Sequence, residues 1–74
     1  MKLKWEIIAD GWTSIRTLCL LNKRGLVIWR SKDHLHQINQ EQFDNDFKFL
    51  VGRYGINESS KFDIEESVIN GRVT

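Results

Sequence analysis

Leu3, Trp5, Ile7 and Ala9 alternate with Lys2, Lys4, Glu6, Ile8 and Asp10, the period-two pattern of a strand with one face turned to a core. Asp10-Gly11 then marks a tight turn. Residues 13–21 divide into Ile15, Thr17, Cys19 and Leu21 on one parity and Ser14, Arg16, Leu18 and Leu20 on the other. A two-residue turn sets the apolar face of the first strand beside Ser14 and Arg16. A three-residue Asp10-Gly11-Trp12 loop sets it beside Ile15, Thr17, Cys19 and Leu21, and brings Glu6 opposite Arg16 as an ion pair. The second register is the expectation, because it joins apolar to apolar. Ile15, Leu18, Cys19 and Leu21 also fit helical spacing, but the threonines and the short bounded length favour a strand.

Asn22-Lys23-Arg24-Gly25 has Asn first and Gly fourth, the preference of a type I turn closed by a left-handed glycine, and so predicts a three-residue hairpin loop. In the third strand Val27 and Trp29 join the face of Trp5, Ile7, Cys19 and Leu21, while Leu26, Ile28 and Arg30 take the other. A helix over 40–54 has signals at both ends. Asn39 caps it with Gln42 three residues on, and Ile38 and Phe43 occupy the two positions of a hydrophobic staple. Phe43, Phe47, Leu50, Val51 and Tyr54 form one stripe, and Gly55-Ile56 matches a glycine C-cap. Phe49 lies off the stripe and is expected under the C-terminal segment, or at an interface.

These elements predict an α+β domain over residues 1–56, a three-stranded antiparallel meander followed by one packed helix (βββα). Its core would hold Trp5, Ile7, Leu21, Trp29, Phe43, Phe47 and Leu50. Lys61 to Glu65 alternates like a short strand, Ile64, Ser67 and Val68 suit one helical turn, and Asn70-Gly71 is a turn signal. Residues 57–74 are therefore expected as a semi-ordered acidic segment, packed on the domain or partly flexible. No repeat or proline marks a second domain.

One helix covers one face of a sheet, so the second face needs another partner. On the chosen registers it presents Ile8, Leu18, Leu20, Leu26 and Ile28 inside a basic rim of Arg16 and Arg30, with Lys2, Lys4 and Lys32 nearby. Burying four such aliphatic side chains is worth about 6 to 12 kcal/mol, comparable with the whole stability of a small domain. The tail, a second copy or a target must cover them. The interface residues expected are Ile8, Arg16, Leu18, Leu20, Leu26, Ile28 and Arg30.

Composition adds three constraints. At 74 residues the chain buries only about 60% of its unfolded surface, which favours homo-oligomerisation. Cys19 is the only cysteine, so no intrachain disulfide is available and a reducing cytoplasm fits. No apolar run in the chain is longer than Leu18 to Leu21, so neither a signal peptide nor a membrane span is expected. Charge is more telling. Residues 1–38 hold seven Lys/Arg against three Asp/Glu, residues 39–74 four against seven, and the overall balance is +1. The halves either attract one another across the fold or leave a basic face for an acidic partner.

Chemistry is sparse. His34 and His36, two apart on an extended segment, would point the same way beside Asp33, but they lack a third ligand at diagnostic spacing, so no metal site is expected. Cys19 has no histidine at a fixed spacing and reads as a buried thiol. The carboxylates, among them Asp44, Asp46, Glu65 and Glu66, form no acid–base pair, and the glycines form no phosphate loop. No enzyme, cofactor or small-molecule substrate is expected. The leading function is a protein-interaction module, a homo-oligomer or an accessory or inhibitory protein docking through sheet face or edge. Short length and absent catalytic signatures would suit a phage or mobile-element product. The alternative is nucleic-acid binding through Lys2, Lys4, Arg16, Arg30 and Lys32. A three-stranded sheet followed by a helix resembles in topology the small domains, such as integrase arm-binding domains, that place a sheet in the major groove.

Overall fold

The computed structural model describes residues 1–10 and 12–70. Its strands are β1 (Lys2–Asp10), β2 (Thr13–Leu21), β3 (Val27–Arg30), β4 (His34–Leu35) and β5 (Glu65–Asn70), with helix α1 (Gln40–Tyr54) and a 3-10 turn (Glu58–Phe62) between β4 and β5. The protein is a small α+β fold with one mixed five-stranded sheet, ordered β3-β2-β1-β5, β4 pairing with β2 beside β3. β1, β2 and β3 make the expected antiparallel meander. The sheet does not stop there, because β5 lies parallel to β1 on its far side. The segment expected to be semi-ordered is thus partly a strand. The Asn70-Gly71 turn signal runs beyond the described residues.

The register of β1 against β2 is one residue from that expected. Asp10 pairs with Thr13 and Trp5 with Leu18, so the loop has two residues rather than three. The shift exchanges the faces of β2. Leu18 and Leu20 now lie beneath α1 at 0% exposure, with Leu3, Trp5, Ile7, Phe47, Leu50 and Ile56. The expected register would have put Thr17 and Cys19 there. Two leucines in their place each contribute about 1.5 to 3 kcal/mol on burial, more than a hydroxyl and a thiol can return. Arg16 comes to the same side, at the margin, where Glu66 accepts its guanidinium at 3.2 Å; the anticipated Glu6–Arg16 pair is absent.

The second hairpin forms as predicted at its turn. Asn22 Oδ1 accepts from the Arg24 and Leu26 amides, and Gly25 has φ 83°. The register then shifts between Leu20 and Leu21, since Leu21 pairs with Val27 but Leu20 with Trp29. Ile28 is the extra residue of a β-bulge. That bulge cancels the one-residue slip of the first hairpin, so Trp29, opposite Leu20, still reaches the helix side and Arg30, opposite Cys19, the other, while Val27, expected beside Trp29, lies opposite Leu21 on the open side.

Helix α1 has the expected bounds. Asn39 Oδ1 accepts from the Gln42 amide at 3.0 Å, and Gly55, at φ 67°, donates to the Val51 carbonyl at 3.0 Å. The Gln42 side chain does not close a capping box; it donates to the Lys32 carbonyl at 2.9 Å. Trp5 stacks obliquely on Phe43, ring centres 5.8 Å apart, and Phe43 on Phe47 at 6.0 Å. Leu21 is buried as expected, but its parity carries it to the opposite face. Phe49 packs on Trp29 and Tyr54, and not under the C-terminal segment.

Candidate interface on the open sheet face

Both α1 and the 3-10 turn lie on one side of the sheet, around Trp5, Phe43 and Phe47. Among the described residues no element covers the other side. Its composition follows from the registers. Ile8 pairs with Ile15 and with Ile69, and Ile15 pairs with Leu35. Side chains of paired residues share a face, so Leu35, Ile15, Ile8 and Ile69 form one aliphatic row across β4, β2, β1 and β5. Leu35 is 63% exposed, Ile8 44% and Ile69 52%, while Ile15 is half-buried. Trp12, 98% exposed, stands at the hairpin tip near this end.

The rows beyond it are polar. Glu6 pairs with Thr17 and Ser67, and Lys4 with Cys19 and Glu65. Thr17 donates to Asp33 at 2.9 Å. Arg30 donates to Glu6, and Lys4 lies 3.8 Å from the same carboxylate. The hydrogen bond from Arg30, against some desolvation, holds the Glu6 carboxyl below its ordinary pKa. Cys19 is fully buried under this pair, and burial, then the Glu6 charge, pushes its thiol pKa up. A raised pKa keeps it a thiol and a poor nucleophile. Lys2 is paired with Glu65.

Placement of the sequence-predicted residues is therefore divided. Ile8 and Arg30 stand on the open face, Ile28 is exposed at the bulge of β3, and Leu26 is exposed in the turn before β3. Leu18 and Leu20 do not belong to an exposed surface at all; they are core beneath the helix. Arg16 lies on the helix side. The five cations offered for nucleic acid do not converge: Lys2, Lys4 and Arg30 share the open face, each paired with a glutamate, while Arg16 is on the other side with Glu66 and Lys32 is exposed beyond β3. Ile15, Leu35 and Ile69 were missed. The two-residue turn would have set Ile15 across from Ile8, whereas Ile69 depends on a parallel pairing that no local signal announces.

The two histidines separate. His36 is exposed at φ 66°, and His34 turns inward to 1% exposure, edge-on to Trp5 with ring centres 5.1 Å apart. The Asn39 amide donates to Nδ1 at 3.0 Å, which puts the proton of the neutral ring on Nε2. Burial lowers its pKa, opposed by Asp46 and Asp33. Asp46 shifts upward from burial, opposed by His34 and Lys32, and its Oδ2 has no hydrogen-bond partner. Asp46 lines an open cleft of about 510 Å³ with Trp29, Lys32 and Gln42. The cleft holds Arg30 and Lys32 against Glu41 and Asp46, an arrangement with no convergent charge. Among the described residues no three His, Cys, Asp or Glu side chains gather as metal ligands, and no helix is long and apolar enough to cross a membrane.

Comparison of the chain with protein-family models, curated proteins and solved structures returns no match.

Proposed function

We propose that this protein is a protein-docking module whose binding surface is the sheet face opposite α1, centred on Ile8. The observation that carries this reading is the aliphatic row Leu35–Ile15–Ile8–Ile69, which spans four strands and which no described element of the chain covers. Each aliphatic side chain fully withdrawn from water contributes about 1.5 to 3 kcal/mol. A row of four is thus a strong incentive to associate, and a contiguous apolar patch is the usual mark of such a site. The adjoining Lys4, Glu6 and Arg30 supply the polar rim that restricts which partner fits. Nucleic acid is the weaker partner, because four of the five cations it would need are already paired with glutamates and they are divided between two faces.

Site-specific photocrosslinking tests the reading. A benzophenone side chain at Leu35 should join the protein to a partner polypeptide, whereas the same group at Asp44, on the outer side of α1, should not. Ile8→Lys should abolish the Leu35 product without lowering the melting temperature. A product formed equally from both positions, or one indifferent to Ile8→Lys, would refute docking through this face.

A further inference from the structure

We infer that two copies of this chain pair edge to edge through β5, antiparallel about a two-fold axis. The surface is distinct from the docking face and stands or falls separately. β5 runs six residues and, among the described residues, is bonded on one side only, to β1. An edge strand carries unpaired amides and carbonyls that template a further strand unless something blunts it.

The two edges of the sheet are treated differently. On the far edge, β3 and β4 are separate pieces, and the Ser31–Asp33 stretch between them is bound inward. The Ser31 amide donates to the Leu18 carbonyl at 2.8 Å, Ser31 Oγ accepts from the Leu18 amide at 2.9 Å, and Asp33 accepts from Thr17. Ile28 adds a bulge, and β4 has two residues. A strand arriving there would find no continuous ladder. β5 has no bulge, proline or lysine. Its centre, Val68 at 59% exposure and Ile69 at 52%, offers an aliphatic side chain on each face.

Charge selects the occupant. The two glutamates of β5 are at its first two positions, and both are held by their own sheet, Glu65 by Lys2 and Glu66 by Arg16. The edge is therefore electrically satisfied and does not ask for a basic peptide. A second β5 laid parallel would stack four carboxylates at one end; laid antiparallel about an axis through Ser67 it puts Glu65 opposite the partner's Ile69 and Glu66 opposite its Val68, both uncharged. Antiparallel self-pairing is the isologous contact that a two-fold axis generates. It also extends the apolar row of one copy toward that of the other.

Sedimentation of the full chain over a concentration series reads this directly. The parent should show twice the monomer mass, and the β5 amides that point away from β1 should exchange about tenfold more slowly in the pair than on dilution. Val68→Lys, an edge guard on the helix side, should give a monomer with the parent's circular dichroism, and Ile69→Lys the same from the open side. Ile8→Lys, on a central strand, should leave the pair intact. A parent of monomer mass up to about 1 mM overturns the pairing and leaves the docking face untouched. A dimer broken by Ile8→Lys but kept by both edge variants also overturns it, since the copies would then meet face to face.

Discussion

Leu20 and Cys19 are adjacent in the chain, equally buried, and shielded by different things: Leu20 by helix α1, Cys19 by the Glu6–Arg30 pair on the open face. A carboxylate forced into the first environment has no partner and no water. Leu20→Glu should therefore leave the chain unfolded by circular dichroism. Ile8→Lys, one strand away but in solvent, should change stability by no more than about 0.5 kcal/mol; a collapse of that variant would show that the open face is covered after all. His34 gives a pH dependence. Its folded pKa lies below the ordinary 6.5, so the unfolded ring takes a proton that the folded ring refuses. The stability it supports is present above that value and is lost as pH falls below it. Asp46, raised above its ordinary 3.8, acts in the opposite sense, favouring the fold as acid is added. The melting temperature should drop between about pH 7 and about pH 5.5, and His34→Gln should flatten that drop. An equal drop in both proteins would assign it elsewhere.

At the scale of elements, α1 is the piece on which most of the core depends. Phe47 and Leu50 reach the sheet from its buried stripe, and Phe47→Ala should cost about 3 to 5 kcal/mol, measured by urea denaturation. A loss under about 1 kcal/mol would mean that the stripe is packed more loosely than its burial implies. The helix was legible because its signals are local: Asn39, Gly55 and a five-residue stripe all lie within one segment. The turn at Asn22–Gly25 was legible for the same reason. The faces of β2 were not, because Leu18 and Leu20 compete with Ile15 and Cys19 for one core, and the contest is decided by a loop length and a bulge that leave no mark in composition. β5 was obscured differently, since its pairing with β1 closes across 61 residues between Lys4 and Glu65. Ile15 and Ile69 of the candidate docking row were lost with these two misreadings, Leu35 with the unanticipated two-residue β4, and Ile8 alone was kept.

For the whole molecule, part of the opposed charge of the two halves is paired internally. Lys2 and Arg16 from the basic half hold Glu65 and Glu66 of the acidic half, and these exposed, solvent-screened pairs serve more to align β5 than to stabilise it. The surface left has little phosphate affinity to offer. Binding to duplex DNA should be no tighter than nonspecific, and a log-affinity slope against log salt steeper than about −4, the mark of several phosphate contacts, would reverse that judgement. The broken edge at β3 and β4 has a further consequence for growth. In polymer terms a chain that pairs through β5 is monofunctional: among the described residues it has one unblunted edge, so joining two units consumes it. Crowding or overexpression should enrich a finite species and seed no fibril. Repairing the far edge, by deleting Lys32 so that two residues run from Arg30 to His34 as two run from Cys19 to Arg16, would supply the second reactive end that turns termination into propagation.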